Sequence, residues 1–83
     1  MTAPFEIANR FDVLVAQGPH ALDTVLSHFP LAPARVNTAR HRDGTLSVTI
    51  IAKNLAEANA RAIQHDLKQD TKVLRAKLEH YVG

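Results

Sequence analysis

The sequence predicts an α+β fold, a ferredoxin-like βαββαβ sandwich in which two helices cover one face of a four-stranded antiparallel sheet. Three observations carry that prediction. The odd positions from Phe5 to Val15 alternate as a half-covered strand does, and Asp43-Gly44 carries the signature of a tight hairpin turn. Two stretches with apolar residues at helical spacing separate the extended segments, so the chain order is strand, helix, hairpin, helix, strand.

The first strand presents Phe5, Ile7, Asn9, Phe11, Val13 and Val15 on one row. Asn9 is the polar interruption that weakens the pairing there, which leaves two alternatives, one long strand or a bend near Asn9 and Arg10. Gly18 ends the strand and stands where an N-cap is needed; Pro19 suits the first helical position, where a missing N–H costs nothing. Leu22, Val25, Leu26 and Phe29 then line one stripe of a helix that Pro30 closes, and Pro33 keeps the connection extended.

Arg35 to Arg42 reads as a polar edge strand and Thr45 to Lys53 as a more apolar central one. A two-residue turn at Asp43-Gly44 pairs Arg42 with Thr45, which sets His41 against Leu46, Ala39 against Val48 and Asn37 against Ile50 on the helix-covered side. The open side then holds Val36, Thr38 and Arg40 with Ile51, Thr49 and Ser47. Asn54 is a candidate cap for the second helix with Glu57 three residues on, and Ala58, Ala62, Ile63 and Leu67 form its buried stripe. From Lys72 to Tyr81 the residues Leu74, Ala76 and Leu78 alternate, while Val73, Leu74, Lys77, Leu78 and Tyr81 also satisfy helical spacing. The sheet lacks its fourth member, so a strand is predicted there. The expected core is Leu22, Val25, Leu26, Phe29, Val48, Ile50, Ile63 and Leu67.

Eighty-three residues suffice for one domain, residues 1–83, with residues 1–4 as a flexible N-terminus. An apolar fraction of 46% with 22% charged residues is that of a globular chain. The absence of cysteine excludes disulfides and thiolate metal sites, and the start lacks a secretory pattern, so a cytoplasmic protein is expected, with no membrane partner. A net charge of +2 is small for a dedicated phosphate-binding surface.

The histidines offer no ligand set. His20 and His28 lie eight residues apart on one helix, and His65 and His80 meet only through folding. Ser27 and His28 are neighbours that point about 100° apart, which gives no nucleophile and base. Neither Gly18 nor Gly44 belongs to a phosphate-cradling motif. No cofactor, metal or catalytic residue is expected. Arg35, Arg40, Arg42 and Lys53 form a basic cluster about the hairpin, so a nucleic-acid-binding module is the alternative function; Ser47, Thr49 and Ile51 provide no aromatic platform for bases. The turn of Gly18, Pro19, His20 and Ala21 puts backbone N–H groups at a helix start, where a carboxylate can be received.

The run from Phe11 to Phe29, FDVLVAQGPHALDTVLSHF, resembles the opening of an ACT domain, especially those of acetolactate synthase small regulatory subunits. The hairpin at Asp43-Gly44, the apolar third strand, the helix and the final strand follow in a similar layout, so the resemblance covers most of the chain. It departs in the segment Leu31 to Arg35 and in reading Gly-Pro-His at the turn. The resemblance implies a noncatalytic regulatory or ligand-binding module that dimerises through its sheet and serves a larger catalytic subunit. It also implies a free amino acid bound near the first turn, by Gly18, His20, Ala21 and Leu22.

Overall fold

The computed structural model describes residues 7–30, 32–53 and 55–82. Expectations for residues 1–4, Phe5, Leu31 and Asn54 lie outside them. The elements are β1 (Ile7–Ala16), α1 (Ala21–Leu26), β2 (Arg35–Arg40), β3 (Thr45–Lys53), α2 (Glu57–Gln69) and β4 (Val73–Val82). They form a βαββαβ ferredoxin-like fold whose antiparallel sheet is ordered β2-β3-β1-β4. The tail is a strand, and β2 and β4 are the edges.

The alternation of β1 decides where the core lies. Phe11, Val13 and Val15 stand opposite Ile50, Val48 and Leu46 of β3, and opposite Leu78, Ala76 and Val73 of β4. These rows meet Val25 of α1 and Ala60, Ile63 and Leu67 of α2 in one cluster. Full burial of an apolar side chain of this size stabilises by roughly 1.5–3 kcal/mol, so Phe11, Ile50 and Leu67 dominate the fold energetically. Leu22, Leu26 and Phe29 pack against the cluster half-buried. The Phe29 ring meets Phe11 edge-on with centroids 4.9 Å apart.

Of the two alternatives for β1, the structure has the single long strand, unbroken through Asn9. Asn9 is wholly buried, yet its Nδ2 donates to the Leu55 carbonyl at 2.9 Å and its Oδ1 accepts from His80 Nδ1. A buried amide satisfied at both ends leaves the strand no reason to bend.

The hairpin keeps its glycine but shifts by one residue. His41 pairs with Thr45 through a 2.9 Å bond, and Gly44 N–H closes a turn on His41 O at 3.3 Å, which makes a three-residue loop of Arg42, Asp43 and Gly44. Gly44 sits at φ +87°, the left-handed position that such a loop requires. Asp43 secures it, accepting from the Thr45 backbone at 3.0 Å and the Thr45 hydroxyl at 2.6 Å. One residue of slip turns every β2 side chain over. Val36, Thr38 and Arg40 therefore oppose Ile50, Val48 and Leu46 on the helix side, while Asn37 and Ala39 lie on the open side with Thr49 and Ser47. His41 is exposed and bonded to Ser47 Oγ at 2.6 Å, not paired with Leu46.

Both helices start later than the sequence suggests. The bond from Ala21 N–H to Gly18 O is a tight turn, the first α-type bond runs from Thr24 N–H to His20 O, and His20 holds the cap position assigned to Gly18. Pro19 lies in that turn ahead of the helix. The α1 helix ends at Leu26, and Phe29 follows through a tighter turn on the Leu26 carbonyl ahead of Pro30. For α2 the cap is Ala56, because Asn9 holds the Leu55 carbonyl before the helix begins. Glu57 is then the first helical residue and bonds Arg61 at 3.0 Å instead of closing a capping box. The buried stripe is Ala60, Ile63 and Leu67; Ala58 and Ala62 are exposed.

Candidate functional site

A broad concavity lies where the β1–α1 turn passes the β2–β3 hairpin. Gln17 brings them together: its backbone N–H donates to Gly44 O at 2.9 Å, and its side-chain amide donates to the carbonyls of His41 and Thr45, each at 2.9 Å. The turn of Gly18, Pro19 and His20 leaves this clamp, and α1 starts beside the edge strand β2. Between them opens a cleft of ≈ 690 Å³, within the size range of small-molecule sites.

Its walls differ in charge. Asp23 of α1 lies on one side and Arg40 of β2 on the other, with Thr38 beside Arg40 and Leu22, Leu46 and Ala21 supplying apolar surface. The one-residue slip of the hairpin is what brings Thr38 and Arg40 to this side of the sheet. Such a lining can pair with a carboxylate and an ammonium group while an apolar side chain contacts the leucines.

Of the residues predicted at the site, Gly18, Ala21 and Leu22 line the cleft together. His20 lies outside this cleft and shares a neighbouring hollow with Gly18 and Ala21. Its side chain is 80% exposed, sits 3.7 Å from Asp23, and borders this second, more apolar hollow of ≈ 440 Å³ that also contains Val15, Thr24 and Leu74. The sequence reasoning missed Gln17, Asp23, Thr38 and Arg40 as lining residues. Only the two charged ones carried a signal, as opposite charges on neighbouring elements.

The other histidines have separate engagements. His28 Nε2 meets Asp70 Oδ2 at 2.9 Å, and Lys72 N–H donates to Asp70 Oδ1 at 2.9 Å. These two bonds, the His28 one foremost, hold the Asp70 carboxyl below its usual range. The Thr45 hydroxyl and N–H lower Asp43 in the same way. Ser27 Oγ donates to the Thr24 carbonyl at 2.7 Å, away from His28. Among the described residues no group of three or more metal-ligating side chains converges.

The hairpin cations are divided. Arg40 lies on the helix side, Arg35 on the open side at the far end of β2, and Arg42 in the loop. Lys53 ends β3, remote from the hairpin. They do not form one continuous phosphate-tracking surface.

No protein-family profile matches the chain, and no curated protein sequence does. Solved structures do match. The ACT domain from GTP pyrophosphokinase of Chlorobium tepidum superposes with a TM-score of 0.72 at 6% identity, covering 89% of this chain and 86% of that one. The chain shares its fold with that ACT domain. An uncharacterized protein from Thermotoga maritima gives 0.71 at 15% identity, covering 90% and 96% of the two chains. The C-terminal domain of the MgtC protein from Mycobacterium tuberculosis gives 0.67 at 14% identity, covering 100% and 94%. In this fold the cleft uses the β1–α1 turn as one wall and the β2 edge as the other. No described helix is long and apolar enough to cross a membrane.

Proposed function

We propose that this chain is a noncatalytic ligand-binding module, homodimeric, that senses a free amino acid and regulates a larger enzyme. The observation that carries the reading is the cleft between α1 and β2, with Asp23 and Arg40 on opposite walls over Leu22 and Leu46. In this reading Arg40 receives the ligand carboxylate, Asp23 receives the ammonium, and the leucines select an aliphatic side chain. Gly18 and Ala21 form the turn wall, and His20 lies just outside the cleft, 3.7 Å from Asp23. The regulatory part rests on two likenesses. The Phe11 to Phe29 run resembles acetolactate synthase small subunits, and one structural neighbour is the ACT domain of an enzyme, GTP pyrophosphokinase.

A thermal-shift screen against free amino acids tests the reading, because a ligand bound only to the folded state raises the melting temperature. An aliphatic amino acid should give a dose-dependent rise that Arg40→Ala and Asp23→Ala each abolish. A flat response across the set, or a rise that survives both substitutions, contradicts it.

A further inference from the structure

Folding gathers basic side chains on the flank of α2 that faces the β4 edge. Arg61, Gln64, His65 and Lys68 follow one another at helical offsets of three, four and seven, so they share one face of α2 beside its buried stripe. That face looks across a groove of ≈ 380 Å³ to Leu78 and His80 of β4, a volume within the range of small-molecule sites. Two hydrogen bonds fix the walls. Gln64 Nε2 donates to the Ala76 carbonyl of β4 at 3.1 Å, and His80 Nδ1 donates to the Asn9 side chain. Among the described residues, none that lines the groove is acidic.

We propose that this groove binds a diphosphate group, either free pyrophosphate or the head of an organic diphosphate. It shares no residue with the cleft between α1 and β2, so it stands or falls apart from the amino-acid reading. Side chains three and four apart on a helix are neighbours, with Cβ atoms about 5–6 Å apart, and Arg61 to Lys68 spans about 10 Å of helix axis. A single phosphate reaches two of these side chains. Two phosphates joined through one oxygen reach Arg61, His65 and Lys68 together. Arg61 supplies a planar fork of N–H donors, Lys68 a compact charge and His65 a ring N–H.

The donors are available. Among the described residues, His65 and Lys68 are exposed and their side chains have no hydrogen-bond or ion-pair partner. Arg61 bonds Glu57 at 3.0 Å, but the two side chains are 69% and 60% exposed, and an ion pair so exposed is too weak to hold the guanidinium against a multiply charged anion. Asp66, the other carboxylate of α2, lies at least about 100° around the helix from Arg61, His65 and Lys68. Leu78 is half-buried in the groove and offers apolar surface to the carbon chain of an organic diphosphate.

An amide chemical-shift titration of the full chain with pyrophosphate at constant ionic strength tests the site. Shifts should centre on Arg61 to Lys68 of α2 and Ala76 to His80 of β4, and inorganic phosphate should bind about tenfold more weakly. Arg61→Gln and Lys68→Gln should each weaken pyrophosphate about tenfold, while Arg42→Gln, which removes the same charge from the hairpin loop, should leave it unchanged. Glu57→Gln should tighten binding by releasing Arg61, whereas Asp66→Asn, an equal change in net charge, should not. All five positions are exposed, and unshifted amides elsewhere verify that each variant keeps the fold. An alkyl diphosphate that binds more tightly than pyrophosphate assigns the site to an ester; equal or weaker binding assigns it to free pyrophosphate. Inorganic phosphate binding as tightly as pyrophosphate, an Arg42→Gln loss equal to that of Lys68→Gln, or unmoved groove amides at about 10 mM pyrophosphate overturns the proposal.

Discussion

His80 on β4 donates from Nδ1 to the side-chain oxygen of Asn9, an amide wholly buried in the helix-covered row of β1. The other end of Asn9 holds the Leu55 carbonyl, and the far side of the His80 ring lies 3.4 Å from Glu57 Oε1. One polar residue thereby ties β1 to β4 and to the entry of α2. Asn9→Ala leaves the Leu55 carbonyl and the His80 N–H without their partner, and His80→Ala leaves Asn9 Oδ1 without its own. Each should cost about 1–3 kcal/mol in urea denaturation. The double variant should cost less than the sum, with coupling of about 0.5–3 kcal/mol. Strict additivity would mean that the pair carries no energy of its own.

Burial ranks the core leucines. Leu67 is wholly buried, whereas Leu26 is only half covered at the end of α1. Leu67→Ala should therefore cost about 2–5 kcal/mol, and Leu26→Ala measurably less. Equal losses in parallel denaturation curves would place Leu26 deeper than described.

The glycines separate backbone from packing. An added Cβ meets nothing within 4 Å at either Gly18 or Gly44, but only Gly44 has a positive φ, +87°. Gly44→Ala should destabilise by roughly 1–2 kcal/mol, from the left-handed backbone alone. Gly18→Ala should be neutral or stabilise by about 0.4–1 kcal/mol by restricting the unfolded chain. Thermal melts of the two variants check the contrast.

Acid should loosen two defined places. The Asp70 carboxyl is held below its usual range by the His28 bond and the Lys72 N–H, and Asp43 by Thr45. A carboxyl whose folded value is depressed contributes stability above its unfolded value, about 3.9, and loses it as pH falls through the lowered folded value. Stability should fall below about pH 4, and less steeply in Asp70→Asn. Denaturation midpoints between about pH 2 and 7 provide the check, and an unchanged acid limb in Asp70→Asn would remove Asp70 from the account.

What was legible in the sequence follows the range of the interactions. The odd row of β1 from Asn9 to Val15, the Leu46, Val48 and Ile50 row of β3 and the turn glycine at Gly44 are local patterns, and each stands in the structure as read. Gly-containing loops of two and three residues have similar signatures, and their difference reversed the faces of β2, moving Arg40 to the cleft. The sequence reading puts Ala58 and Ala62 in the α2 stripe, whereas Ala60, at helical spacing ahead of Ile63 and Leu67, is the alanine that packs against the sheet. The partners of Asn9 are 46 and 71 residues away, beyond any local window. Gln17, the clamp that shapes the cleft, is likewise an ordinary polar residue until the hairpin closes beside it.

The central claim is that the cleft between α1 and β2 holds an amino acid, and an amide chemical-shift titration of the isotope-labelled chain tests it residue by residue. With an aliphatic amino acid the shifts should centre on Gly18, Ala21, Leu22, Thr38 and Arg40 and vanish in Arg40→Ala. Unmoved cleft amides for every amino acid up to about 10 mM, where even a ~1 mM ligand is largely bound, would contradict it.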